Sequence, residues 1–243
     1  MLSLKNYTRL FAVAMGGLGV LQLVFQQVLI GRPAPMMAVG PVTSAIAYLS
    51  AVALIVSAVQ LWRERPTPWL LVGLSVSVFA YSGVSNLYVI ATNFDYGFAL
   101  TSFGKAMTLG AALLFFYRIV SSTGTDGAFT LVRLCTGLFL IIGGVQHFLF
   151  SDFVKLLIPG WLPFAAFWTY AAGVALIVAG LSLVIHIKVK WIAYGAGWMI
   201  FTWVLVLHIP RALAEPNANE LSAVCEALSV SMILFALSKL DNH

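Results

Sequence analysis

The chain has 243 residues, 61% of them apolar and only 9% charged, with a mean hydropathy of +1.00. A water-soluble domain carries about 25% charged residues, so this composition excludes a soluble globule and describes a surface meant for lipid. The net charge of +5 does not indicate a nucleic-acid partner, because the basic residues sit in short clusters between apolar runs, where they act as topology signals.

The apolar runs predict helices at about 8–30, 38–61, 68–91, 99–119, 131–150, 163–185, 190–209 and 220–238, each long enough to cross ~30 Å of hydrocarbon at ~1.5 Å per residue. The first is read as a helix rather than a removed signal peptide, because no small-residue cleavage pattern follows it. Breaks fall at Arg32-Pro33-Ala34-Pro35, Arg63-Glu64-Arg65-Pro66, Thr92-Asn93-Phe94-Asp95 and Ser121-Ser122-Thr123-Gly124. Later ones fall at Ile158-Pro159-Gly160-Trp161, Lys188–Lys190 and Glu215-Pro216-Asn217, all built from the Pro, Gly and polar residues that connections use. The fold class is therefore all-α, a polytopic membrane protein of eight transmembrane helices.

With eight helices, Lys5, Arg9, Arg63, Arg65, Arg118, Arg133, Lys188, Lys190 and Lys239 fall on one side. Arg32, Lys155 and Arg211 fall on the other, and Lys105 lies inside a helix. That bias places both termini in the cytoplasm. The helices also repeat. Val52-Ala53-Leu54-Ile55-Val56 recurs as Val174-Ala175-Leu176-Ile177-Val178, each preceded by a tyrosine, Tyr48 or Tyr170. The same spacing pairs Trp69 with Trp191, Gly73 with Gly195 and Asn86 with His208; one residue later Lys105-Ala106-Met107-Thr108 pairs with Glu226-Ala227-Leu228-Ser229. Upstream, Gly19 and Gln22 pair with Gly143 and Gln146. The expected organisation is two tandem four-helix bundles, residues 1–121 and 122–243, in one orientation about an axis along the membrane normal.

Gln146-His147-Phe148-Leu149-Phe150-Ser151-Asp152-Phe153-Val154, Pro159-Gly160-Trp161-Leu162-Pro163 and Phe167-Trp168-Thr169-Tyr170 with Gly173 carry a resemblance. So do Leu207-His208-Ile209-Pro210-Arg211 and Glu220-Leu221 through Glu226-Ala227-Leu228. Together they make the second half similar to the DoxX-like family of bacterial four-helix membrane proteins. The first half resembles a diverged copy, with Leu23 where the second has His147. The resemblance implies a bacterial cytoplasmic (inner) membrane location and a link to quinone-dependent oxidation or redox-stress complexes.

His147 and His208 are expected near the outward ends of helices 5 and 7, with Arg211 just beyond His208. Lys105 and Glu226 are expected about two turns in from the same side. Ionisable groups inside hydrocarbon cost about 2.5–3.5 kcal/mol each and mark functional sites by default. The candidate catalytic residues are His147, His208 and Glu226; the candidate ligand-binding residues are Lys105, Gln146, Trp161, Trp168, Tyr170 and Arg211. A structural role stands beside each of these readings. Glu226 can clamp Lys105 or Arg211, the histidines can cap helix ends, and the tryptophans can be interfacial belt residues. Glycine pairs such as Gly143-Gly144 favour close helix packing, and Met36-Met37 reads as a loop anchor rather than a copper site. Cys135 and Cys225 are expected at different depths, too far apart for a disulfide. No metal-ligand spacing, nucleotide-binding loop or retinal lysine is present in the sequence. Three functions follow: a quinone-linked redox subunit with a redox-protein partner, a small-amphiphile binder or transporter, and a non-catalytic assembly subunit. A bound quinone is the one cofactor these readings admit, and a homo-oligomer is compatible with all three.

Overall fold

A computed structural model describes residues 2–30, 40–92 and 97–241, with only the backbone of Ser82 described. Arg32-Pro33-Ala34-Pro35, Met36-Met37 and Asn93-Phe94-Asp95 lie outside the described residues. The described residues are 85% helical and contain no strand. The helices are α1 (Leu4–Phe25), α2 (Pro41–Trp62), α3 (Pro68–Thr92), α4 (Gly97–Val120), α5 (Asp126–Leu149) and a short α6 (Ser151–Leu157), followed by α7 (Ala165–Ile185). Then α8 (Val189–Trp203) passes through a π-helical turn (Val204–His208) into α9 (Ile209–Ala214), and α10 (Ala218–Leu240) closes the chain. Counting Val189–Ala214 as one span, eight helices among the described residues are long and apolar enough to cross a membrane. The chain is an all-α polytopic membrane protein.

Three helix ends differ from the sequence expectation. α1 stops at Phe25 rather than near 30, where Gln26 turns left-handed at φ 55°. The cause is Gln22, fully buried, whose Oε1 accepts from the Leu29 and Ile30 amides at 3.0 and 3.5 Å while its Nε2 donates to Ser50 Oγ at 2.8 Å. One side chain thereby satisfies backbone groups that a longer helix would have paired internally. α5 begins at Asp126, whose carboxylate sits in the first turn, where the helix dipole favours it. The seventh span continues past Pro210 to Ala214. Arg133, expected at a helix start, lies buried inside α5 instead. Its guanidinium donates to the carbonyls of Leu183 and Val184, covering the end of α7, where carbonyls are left unpaired and the dipole is negative.

The packing repeats with the sequence. α1 lies on α2 as α5 lies on α7, α3 on α4 as α8 on α10, and α1 on α10 as α5 on α4. A cross-helix hydrogen bond occurs at the same spacing. Ser75 Oγ of α3 donates to Gly110 O of α4 at 2.7 Å, and at the corresponding positions Ser231 Oγ of α10 donates to Gly197 O of α8 at 2.9 Å. The bond is kept while donor and acceptor change places. For α1 and α5 the structure shifts the expected register by one residue. A Cβ on Gly19 would meet the Ala51 carbonyl and Ile55, and one on Gly144 would meet the equivalent Gly173 carbonyl and Ile177. Gly19 therefore corresponds to Gly144, and Gln22 to His147 rather than Gln146. These glycines let backbones touch where a side chain would hold them apart. α4 and α10, each more than half buried, also meet one another at the centre.

Candidate functional site

Lys105 lies eight residues after the start of α4 and Glu226 eight after the start of α10, so both sit roughly 12 Å into their helices. Equal depth on neighbouring central helices brings them together. Lys105 Nζ donates to Glu226 Oε2 at 2.7 Å, with the Glu226 side chain only 8% exposed. A second ion pair lies nearer the helix ends. Arg211 Nε and Nη2 donate to Glu220 Oε2 and Oε1 at 3.0 and 2.5 Å, a forked pairing that fixes the guanidinium plane. The short turn at Pro216 makes this possible by folding α9 back against α10, and Asn217 Oδ1 caps α10 by accepting from the Asn219 and Glu220 amides.

Both pairs line a cavity of about 280 Å³ at the end of the bundle away from the termini, and His208 lines it with them. α4 and α10 contribute in matched positions: Phe98 with Asn219, Ser102 with Ala223, Lys105 with Glu226. The cavity thus lies on the pseudo-two-fold relation between the repeats, and its polar floor is a charge pair that breaks the symmetry. The flanking helices contribute unequally. Leu207, His208 and Arg211 line it from the α8–α9 span, whereas Asn86, the α3 counterpart of His208, is buried elsewhere. The remaining walls are apolar: Leu29 on one side, Phe153 and Leu157 of α6 on the other.

His208 is aimed by the π-helical turn that it ends. Pro210 has no N–H, and its ring crowds the carbonyl four residues earlier, that of Val206. The backbone relieves this by widening, so that the Ile209 amide reaches back five residues to Val204 O. Such turns insert one residue and rotate the helix beyond them. The Leu207-His208-Ile209-Pro210-Arg211 segment is therefore a helix with a built-in offset.

Of the residues singled out from sequence, Lys105, His208, Arg211 and Glu226 meet in the cavity. His147, Gln146, Trp161, Trp168 and Tyr170 do not line it. His147 Nδ1 donates to the Gly143 carbonyl of its own helix at 2.7 Å, and its ring stacks on Trp203 at 6.3 Å. Gln146 ties α5 to α4: its Nε2 donates to Gly97 O at 2.6 Å and its Oε1 accepts from Thr101 at 2.5 Å. Trp161 is exposed, Trp168 donates Nε1 to Pro163 O at 3.0 Å, and the Tyr170 ring lies under Lys155 Nζ at 5.8 Å. These three aromatics face outward, where membrane-interface residues belong. Sequence reading missed Glu220. Its signal was the Asn217-x-x-Glu220 cap with Arg211 just across a proline turn. It also missed the cavity's apolar walls, which carry no chemical label in so apolar a chain.

Fold and cavity together define a polytopic membrane protein with a paired-charge pocket among its helices. Comparison with protein-family models, with curated proteins and with solved structures finds no match to this chain.

Proposed function

We propose that the cavity holds the head group of a membrane-dissolved quinone, and that the chain serves as a DoxX-like, quinone-linked redox subunit of a bacterial cytoplasmic membrane with both termini in the cytoplasm. The observation that carries this reading is the cavity's chemistry: one imidazole and two closed ion pairs on a largely apolar wall. Because each charge is already paired, the pocket suits an uncharged head group with hydrogen-bonding oxygens rather than an ion. Apolar Phe98, Phe153, Leu157 and Leu207 suit a substituted ring and the start of an isoprenoid tail.

In this reading His208 and the Lys105 ammonium donate hydrogen bonds to the ring oxygens. Glu226, held beside Lys105, takes or returns the proton that accompanies each electron. A bound quinone would supply two-electron, two-proton chemistry, with the electrons exchanged with a redox-protein partner. Binding is favoured over transport because Phe11, Leu113, Phe115, Phe116, Leu234 and Leu237, all fully buried, fill the bundle toward the termini. A non-catalytic clamp is the competing reading, and the two ion pairs favour it.

Native mass spectrometry with lipid extraction, on wild type and a His208→Ala/Glu226→Gln variant, separates them. The expected result is a stoichiometric quinone on the wild type that is lost from a still-folded variant. Retention of nothing beyond bulk phospholipid, with a variant that falls apart in detergent, sinks the quinone reading and leaves the clamp.

A further inference from the structure

The two apolar walls of the cavity come from corresponding places, the segments that follow α1 and α5, yet they are held in very different ways. The first is locked. Leu29 and Ile30 are 2% and 3% exposed, and their amides are fastened to the buried Gln22, itself bonded to Ser50 of α2. At the position equivalent to Gln22 stands His147, whose Nδ1–H turns back to its own helix at Gly143. It does not reach the segment after α5.

That segment is α6, and none of its residues is buried. Phe153 and Leu156 are 63% and 82% exposed although Phe153 also lines the cavity. Its hydrogen bonds are local, Val154 N to Phe150 O, Ile158 N to Lys155 O and Lys155 Nζ to Asp152, and it packs chiefly against its chain neighbours α5 and α7. Beyond it, Trp161, Phe164 and Phe167 continue the exposed apolar surface. Groups this apolar on the outer face of a membrane bundle sit in lipid, not water.

We infer that α6 is a lateral gate: the ligand passes between bilayer and cavity beneath Phe153 and Leu157, while Gln22 keeps the Leu29 side shut. The ligand class is therefore an amphiphile already dissolved in the membrane. The inference rests on the cavity being a binding site, but its test does not need the ligand.

In a Cys135→Ala/Cys225→Ala background, a Ser222→Cys reporter places a thiol in the cavity wall, and the protein is reconstituted in phospholipid nanodiscs. Its modification is timed with a long-chain alkyl maleimide, which partitions into lipid and alkylates the thiol, and with a charged methanethiosulfonate, which does not partition and forms a mixed disulfide with release of methanesulfinate. Shortening the gate with Phe153→Ala/Leu157→Ala should speed the lipid-borne reagent about tenfold and the charged one less than twofold. Leu29→Ala should change either by less than twofold. Equal acceleration of both reagents, or a Leu29→Ala effect as large as that of the α6 changes, overturns the gate.

A second pair guards against a misfolded double variant. Lys155→Cys/Tyr170→Cys, joined by a short bifunctional thiol reagent, ties α6 to α7. Loading with a decyl-substituted benzoquinone should then slow at least fivefold in both directions with Kd unchanged; unchanged rates also overturn the gate. If the benzoquinone fails to bind while the thiol rates behave as stated, the quinone reading falls and the gate stands.

Discussion

Lys105 and Glu226 show how much a single contact can decide. Breaking a buried ion pair by removing one partner costs about 3–5 kcal/mol, because the survivor is left charged and desolvated. Lys105 retains some exposure and Glu226 very little, so the lower end of that range is expected for Glu226→Leu, which leaves the lysine, and the upper end for Lys105→Met, which strands the glutamate. Since the two positions are related by the internal repeat, exchanging the charges as Lys105→Glu/Glu226→Lys should recover most of the loss. Thermal unfolding in detergent measures all three; a swapped variant no more stable than either single change would show that the surroundings of the pair are not interchangeable. His147 teaches the opposite lesson. Sequence reading placed it correctly near the end of its helix, but which way its ring faces depends on one residue of register, and that register was set by glycine contacts between helices.

At the scale of the element, the eight spans were legible because hydrocarbon demands long apolar helices with internally paired backbones. Their ends were less so. Gln22 ends α1 by capturing amides seven and eight residues ahead, a spacing that matches no helix-cap motif. The π-helical turn at Val204–His208 was hidden as well, although Pro210 was in plain view: proline inside a span predicts a disturbance but not whether it is a kink, a break or an inserted residue. Pro210→Ala should let the turn relax toward α-helix. Amide hydrogen exchange in residues 204–209 is expected to slow by more than tenfold, and benzoquinone binding to weaken as His208 rotates away from the cavity. Unchanged exchange would mean that packing against α10, not proline, holds the turn open.

For the whole molecule, the repeat and the charge bias make one statement about orientation. A reporter active only in the cytoplasm should work when fused to either terminus and fail when inserted near Pro159-Gly160 or Pro216. Activity at those loops would reverse the assignment and put the cavity in the inner leaflet. Hydropathy, period and spacing are additive along a chain, so the membrane class, the number of helices and the common level of Lys105, His208, Arg211 and Glu226 were legible in one dimension. Helix packing sets the rest: Glu226 pairs with Lys105 while Arg211 takes Glu220, His147 and Gln146 do not line the cavity, and one apolar wall is buried while the other is exposed. Those outcomes depend on how helices rotate against one another, and a one-residue shift of roughly 100° about a helix axis, as 3.6 residues per turn implies, moves a side chain from pocket to neighbour without altering any one-dimensional pattern.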